Sequence, residues 1–95
     1  MPLYSAQRRD GNEREIITAL DHVGASVIQM PVGAGFDLLV AYRSRMVALE
    51  VKRPGEKLTD AERKVLAQIV RQGDGLAYVV ETAEEALQAI GVGIW

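Results

Sequence analysis

Residues 36–52, FDLLVAYRSRMVALEVK, decide the fold of this chain of 95 residues. Two runs rich in branched and aromatic apolar residues, Phe36–Tyr42 and Met46–Lys52, flank a short polar stretch at Arg43–Ser44. Apolar runs of this length on either side of a tight turn are typical of two antiparallel strands. We therefore predict a β-hairpin at the centre of the fold.

The register of this hairpin brings polar side chains to one face. A two-residue turn pairs Tyr42 with Arg45, and counting outward then places Asp37 opposite Glu50. Paired side chains lie about 5 Å apart on one face of a sheet. Residues i and i+2 of a strand share a face about 6.6 Å apart, so Lys52 joins the two carboxylates. The other face is apolar and is predicted to enter the core: Phe36, Leu38, Val40, Val47, Leu49 and Val51.

Helices and further strands are predicted on both sides of the hairpin. Three capping boxes, Asn12-x-x-Glu15, Thr59-x-x-Glu62 and Thr82-x-x-Glu85, indicate where helices begin. Together they predict an α/β fold of order α-β-β-β-α-β-α, with a central mixed four-stranded sheet flanked by helices. In chain order, the predicted elements are a helix from Asn12 to about Val23, a strand over Ser26–Met30, the two hairpin strands, a helix that opens at Thr59 and ends before Gly73, a strand over Leu76–Val80 and a helix from Thr82 to Gly91.

Composition narrows the class of protein. Apolar residues make up 48% of the chain, enough for one core, so we expect one domain over residues 1–95, with the polar, arginine-rich residues 1–11 loosely ordered. There is no cysteine and only one histidine, His22, which excludes disulfides, zinc ribbons and sites that need two histidines. No signal peptide or membrane span is recognisable, so we expect no membrane partner and a cytoplasmic location, in a bacterium or a phage-infected host.

The convergent polar side chains indicate a particular chemistry. Two carboxylates as close as Asp37 and Glu50 repel each other unless a cation lies between them. Oxygen ligands without His or Cys suit Mg²⁺ or Mn²⁺. A lysine on the same face, Lys52, adds a positive group that can steady phosphate charge or hold a nucleophilic water. The set predicts metal-dependent hydrolysis of phosphodiester bonds.

Two sequence segments carry a resemblance to a known family. GAGFDLLV at residues 33–40, followed by LEVK at residues 49–52, resembles the signature of the PD-(D/E)XK nuclease superfamily. The continuation KRPGEKLT at residues 52–59 resembles its VRR-NUC branch, which is related to Holliday-junction resolvases. The resemblance extends from residue 12 to about residue 87. It implies a restriction-endonuclease-like fold of order α-β-β-β-α-β and a DNA endonuclease with Mg²⁺ or Mn²⁺ as cofactor.

The resemblance also implies roles for individual residues. Asp37 and Glu50 would bind the metal together with the main-chain carbonyl of Val51, and Lys52 would assist the attacking water and the developing charge. Glu13 matches a glutamate that the family carries on its first helix, close to the metal, where it would act directly or through water. Relatives act on branched DNA as dimers, so the resemblance favours a homodimer and junction DNA as substrate.

Helical geometry supports Glu13 independently. At 100° per residue, Glu13 lies between Ile16 and Ile17 and in line with Leu20, on the predicted buried face of the first helix. Glu15 lies on the opposite side and already has a capping role.

The chain departs from the family pattern at two positions. Phe36 stands where the family has proline, a position that sets how the strand is entered. Glu62 stands where many members have a glutamine near the metal, and its place in a capping box explains it without catalysis.

Several features have more than one interpretation. Gly33 and Gly35 lack the phosphate-loop pattern and favour a tight turn, and His22 lies away from the apolar stripe, which favours a solvated position. The tail at residues 92–95 either caps the core or packs against another subunit. A net charge of −2 is unusual for a DNA-binding protein, so its basic residues would have to gather on one face. Candidates that either grip phosphates or are simply solvated are Arg8, Arg9, Arg14, Arg53 and Lys57.

Two rival functions remain open at this stage. One is a DNA- or protein-recognition module that keeps the fold without turnover. The other is a subunit of a larger phage or restriction complex that cleaves only with its partner. An intact acid-acid-lysine set argues against the recognition module, because buried charges cost stability and have no evident use without chemistry.

Overall fold

The predicted hairpin forms the middle of the sheet in the computed structural model, which describes residues 11–72 and 76–92. Strands β2 (Leu38–Tyr42) and β3 (Arg45–Val51) pair antiparallel, with Tyr42 opposite Arg45 and Leu38 opposite Leu49. The turn between them has two residues, both with positive φ. The predicted register is therefore confirmed.

The remaining elements complete an α/β arrangement. In chain order the others are α1 (Gly11–His22), β1 (Ser26–Gln29), α2 (Asp60–Gln72), β4 (Ala77–Val80) and α3 (Ala83–Ala89). The strand order is β1-β2-β3-β4, with antiparallel pairs except for the parallel pair β3–β4. A parallel pair needs a long crossover, which α2 supplies. The predicted class, with a mixed four-stranded sheet flanked by helices, is confirmed.

The sheet has two differently covered faces. Leu38, Val40 and Leu49 lie on the face that packs against α1 and α3, as the period of two and the predicted register require. On the opposite face, α2 contributes Val65 to the same cavity that Glu50 lines. The core cluster consists of Ile16, Leu20, Ala25, Leu38, Val40, Val47, Leu49, Val51, Val80, Ala86 and Ile90. In the ranges that the structure describes, we find no helix with the length and apolar character needed to cross a membrane.

The predicted capping role of Asn12 is wrong. Helix α1 already includes Gly11, and the Asn12 amide donates instead to the carbonyls of Lys52, at 2.9 Å, and Glu81, at 3.3 Å. These carbonyls lie just beyond the ends of the parallel strands β3 and β4, where the ladder no longer supplies donors. Asn12 therefore ties the first turn of α1 to the end of the sheet. The loose start predicted for residues 1–10 lies outside the described residues, whereas Gly11 is helical.

The other two helix starts follow the capping-box prediction. In the first box, the N–H of Glu62 donates to Thr59 Oγ1 at 3.1 Å and the N–H of Thr59 donates to Glu62 Oε1 at 2.9 Å. In the second, the N–H of Glu85 donates to Thr82 Oγ1 at 3.0 Å, and Glu85 Oε1 accepts from the N–H of Glu81 at 2.7 Å. Both side chains satisfy N–H groups at a helix start that would otherwise lack partners.

Gly35 permits the loop between β1 and β2 to approach α2. It has a φ of +100°, and a Cβ atom there would stand 2.6 to 2.9 Å from side-chain atoms of Val65. Gly33 has a similar φ of +94° but open space around it. The predicted tight turn therefore also brings this loop against α2, which forms one wall of the cavity described below.

We expect Gly35→Ala to destabilise the protein more than Gly33→Ala. Both substitutions force a side chain into left-handed backbone, at a cost of about 1 to 2 kcal/mol. Only Gly35→Ala also collides with Val65, and overpacking of this kind costs about 1 to 3 kcal/mol more. Urea denaturation of the two variants measures the difference. Equal losses of stability would contradict the close approach.

Candidate active site

A cavity of about 510 Å³ lies where β2 begins and β3 ends. Its walls come from the loop after β1, from the first turns of α1 and α2 and from the end of β3. All four side chains predicted for the site, Glu13, Asp37, Glu50 and Lys52, line this cavity, and Glu62 joins them. The topology therefore collects residues 49 positions apart in the chain around one space.

Asp37 lies immediately before β2, rather than inside the strand as predicted. Its N–H donates to the carbonyl of Leu49 at 3.1 Å, and its carbonyl accepts from the N–H of Met30 at 2.8 Å. Its side-chain Oδ2 accepts the N–H of Val51 at 2.7 Å. In a continued ladder, the residue opposite Val51 would be Phe36. The Asp37 carboxylate thus accepts the N–H of Val51 that the main chain of a longer strand would have bound, and β2 begins only at Leu38.

Glu50 is almost completely buried, with 3% of its surface exposed. Its Oε1 atom is buried and has no hydrogen-bond partner among the described residues. Burial raises the pKa of Glu50 to about 8, and the nearby charge of Asp37 and a hydrogen bond to Glu62 add to the rise. Lys52 offsets only part of it. In the metal-free protein the pKa of Glu50 therefore lies well above the usual range of a carboxyl group.

Lys52 lies between two carboxylates. Its Nζ is 2.9 Å from Glu62 Oε1 and 3.5 Å from Glu50 Oε2. The hydrogen bond to Glu62 raises the pKa of Lys52 further, against the effect of burial, so that the ammonium stays charged. Burial would raise the pKa of Glu62, but its hydrogen bonds from Thr59 and Lys52 outweigh this and lower the pKa to about 2. Glu62 is therefore a carboxylate paired with a lysine.

Glu62 was assigned only a capping role from the sequence, and its contact with Lys52 was missed. The capping box is confirmed, but the same carboxylate also reaches into the cavity. Its match to the family's glutamine position was the available signal. Because the capping box alone accounts for a glutamate at position 62, the sequence gives no further reason to expect its contact with Lys52.

The helical phase predicted for α1 is confirmed. Glu13 is buried, with 4% of its surface exposed, whereas Glu15 is exposed on the other side of the helix. Because Asn12 does not cap α1, the capping role predicted for Glu15 is wrong as well. Glu13 lines the cavity near the two other carboxylates.

Among the described residues, none of the basic side chains proposed for phosphate binding lines the cavity. Those within the described residues are exposed and are not among its lining: Arg14, Arg53 and Lys57. Arg8 and Arg9 lie outside the described residues, as does most of the tail at residues 92–95. His22 is exposed, as predicted.

The cavity offers a divalent cation an incomplete but suitable set of oxygen atoms. Across residues 11–72 and 76–92, no three Asp, Glu, His or Cys side chains are arranged to hold a metal ion together. A cation site would therefore have to combine the carboxylates of Asp37 and Glu50 with main-chain oxygen or water. The buried Glu50 Oε1 fits such a ligand, because an acceptor buried without a partner is costly.

Comparisons of the chain with family models, with curated proteins and with solved structures find no match. A function therefore has to be inferred from the chain's own motif and site geometry.

We expect Glu50→Gln to remove a pH dependence of stability in metal-free protein. The folded-state pKa of Glu50 is about 8 against a model value of 4.5, so between these values the unfolded chain ionises while the folded protein keeps the proton. Stability should therefore fall as pH rises, by about 2 to 4 kcal/mol between pH 5 and pH 8. The lowered pKa of Glu62 acts only below 4.5 and adds no slope in this window.

Urea denaturation in EDTA at several pH values, compared between wild type and Glu50→Gln, isolates this contribution. Glu15→Gln, which removes an exposed carboxylate on the far side of α1, is the matched control and should keep the wild-type slope. Millimolar Mn²⁺ should stabilise the wild type at pH 8 and leave Glu50→Gln nearly unchanged. An identical pH slope in Glu50→Gln would show that this carboxyl group is not the source.

Proposed function

We propose that this chain is a Mg²⁺- or Mn²⁺-dependent endodeoxyribonuclease of the PD-(D/E)XK superfamily, in its VRR-NUC branch, with the restriction-endonuclease-like fold. One observation carries the proposal: the motif residues Asp37, Glu50 and Lys52 line a single cavity, where Glu50 presents a buried oxygen without a partner. The hairpin register that produces this convergence supports the motif assignment.

Acidic side chains and one main-chain carbonyl would hold the cation. Asp37 and Glu50 would hold the cation with the main-chain carbonyl of Val51, whose N–H already points to Asp37. Glu13 would complete the shell directly or through water. When bound, the cation would neutralise the crowded carboxylates and supply Lewis-acid activation of the scissile phosphate.

Lys52 would act on the water and on the charge that develops during hydrolysis. Its ammonium donates hydrogen bonds and stays protonated in the cavity, where it already contacts Glu62 at 2.9 Å. A donor in a largely buried site stabilises negative charge far better than one in water. Lys52 would orient the attacking water and stabilise the negative charge at the phosphate.

DNA would be held mainly through its backbone. Arg14, Arg53 and Lys57 are exposed and would neutralise phosphates outside the cavity, and Arg8 and Arg9 would contribute as well. With a net charge of −2, such contacts have to be local to the cavity mouth.

A second candidate is a non-catalytic or partner-dependent DNA-binding module of the same fold, within a phage or restriction complex. The observation that favours it is the engagement of Lys52 with two carboxylates, together with the missing third acidic ligand in the described part of the chain. The cleavage test below separates the two functions.

We expect purified protein to cleave DNA with Mn²⁺ or Mg²⁺ and not with EDTA. Asp37→Asn and Lys52→Met should each lower the rate by at least about 100-fold, because each removes a group on which transition-state stabilisation depends. A gel assay with linear, branched and single-stranded DNA measures cleavage, and circular dichroism checks that the variants fold. Undiminished cleavage by Asp37→Asn would remove this cavity from consideration as the active site.

Glu13→Gln and Glu15→Gln form a matched pair on α1 for the same assay. Only Glu13 lines the cavity, so only its substitution should weaken cleavage or the apparent affinity for Mn²⁺. Equal effects of the two changes would show that Glu13 has no special place in the site.

We propose further that the active form is a homodimer that prefers branched DNA. One cavity can cut one strand at a time, and a two-fold dimer would supply two symmetric cuts. The exposed apolar side chains of Ile28 and Met46, 55% and 56% accessible, leave surface that a second subunit could cover. Ile94 and Trp95, which the sequence offered as dimer contacts, lie outside the described residues.

Light scattering at micromolar concentration should give twice the chain mass of 10.4 kDa, and four-way junctions should be cut faster than linear duplex. The junction and duplex should share arm sequence and length, so that shape is the single difference. A monomer that nicks all DNA equally would refute the dimer and the preference while leaving the nuclease proposal intact.

A further inference from the structure

Glu62 connects the start of α2 to the lysine of the cavity through one oxygen atom. Oε1 accepts the N–H of Thr59 at 2.9 Å and also contacts Lys52 Nζ at 2.9 Å. The Glu62 side chain is 24% exposed, so the contact lies at the cavity mouth, largely shielded from water. A capping oxygen is fixed by the helix start, and any group bound to it is fixed as well.

Lys52 is held more closely by Glu62 than by the motif glutamate. The distance from its Nζ to Glu62 is 2.9 Å, against 3.5 Å to Glu50. A lysine side chain is long and flexible, and ordering it costs up to about 2 kcal/mol in lost rotamer freedom. A charge-assisted hydrogen bond donated by the ammonium to a fixed acceptor offsets this cost and selects one position of the ammonium.

We propose that Glu62 is a positioning residue for Lys52, and that its carboxylate sets where the lysine ammonium stands relative to Asp37 and Glu50. This inference rests on the proposed nuclease function for its effect on catalysis, but the placement of the lysine is a property of the metal-free protein. Glu62 also forms a hydrogen bond with Glu50, and the role proposed here is the one that it exerts on the lysine ammonium. It acts through Lys52.

The chain supplies a matched control in its other capping box. Glu85 likewise accepts an N–H at a helix start, that of Glu81, one residue before Thr82, at 2.7 Å, and it is exposed. It does not line the cavity. Glutamine can replace glutamate in a capping box, so Glu62→Gln and Glu85→Gln should keep both helix starts and each remove one charge.

The first measurement needs neither metal nor DNA. The chain has three lysines, and the exposed Lys57 and Lys64 are internal references for the ammonium signals in nitrogen-15 NMR. In EDTA at pH 6, the Lys52 ammonium should give a signal protected from exchange and of restricted mobility. In Glu62→Gln, the exchange rate and mobility of the Lys52 ammonium should approach those of the other two lysines. In Glu85→Gln, both should stay as in the wild type. Lys52→Met assigns the Lys52 signal.

The second measurement is cleavage with Mn²⁺. Glu62→Gln should lower kcat by roughly 10- to 100-fold with little change in KM, because a misplaced catalytic group affects the transition state more than DNA binding. Glu85→Gln should retain wild-type kcat.

The outcomes separate this inference from the proposed function. An unchanged Lys52 signal in Glu62→Gln overturns the positioning role, whatever the activity. A lost signal with undiminished kcat overturns its catalytic consequence. A lost signal in a protein that never cleaves DNA upholds the placement of the lysine and overturns the nuclease proposal. If Glu62→Gln does not fold, Glu62→Asp, which draws the carboxylate back by one methylene, replaces it in both measurements.

Discussion

The register of the β2–β3 hairpin is the constraint on which the rest of the structure depends. The two-residue turn at Arg43–Ser44 places both residues in left-handed backbone, which matches the twist of the flanking strands. Because side chains alternate between faces, the register decides at once which residues form the core and which line the cavity. A slip of one residue would turn Leu49 outward and Glu50 into the core. The same register therefore fixes both the core and the site, and the burial of the apolar residues on one face holds the carboxylates on the other.

The cavity concentrates buried ionisable side chains in a small domain, whose free energy of unfolding is expected to be modest. Glu13, Glu50 and Lys52 are all buried, and Glu50 keeps an oxygen without a partner among the described residues. Burial of polar and charged groups costs free energy unless hydrogen bonds or ions compensate, and a domain of this size gains only a modest surplus from its core. Nothing in the packing requires these residues to be polar, since an apolar residue at position 50 would fit the strand pattern better. The cost is understandable if the site serves a ligand that supplies the missing partner.

The sequence was sufficient for the parts of the site that follow from periodicity. The convergence of Asp37 and Glu50 on one cavity follows from a repeat of two and a short turn, and the burial of Glu13 follows from the helical repeat. The sequence was insufficient where one group had two possible partners. Asn12 could cap its own helix or donate to carbonyls at the end of the sheet. It does the latter, because two strand-end carbonyls need donors there. Glu62 could cap α2 or bind Lys52, and it does both through one oxygen atom, which no local rule anticipates.

These two unforeseen contacts have a common cause in the topology. Because β3 and β4 are parallel, both strands end at the same edge of the sheet, and the first turns of α1 and α2 meet that edge. Helix starts carry N–H groups and acidic side chains, while strand ends carry carbonyls, so polar groups of opposite character gather where apolar packing stops. The Asn12 amide binds the carbonyls at both strand ends, and Glu62 binds Lys52, which follows β3. A cavity built this way is acidic by construction, since Glu13 and Glu62 arrive with the helices and Asp37 and Glu50 with the strands. The anionic substrate proposed above would need added positive charge to approach this cavity, and Lys52 is already shared between Glu50 and Glu62, which is the reason for assigning that charge to the proposed cation.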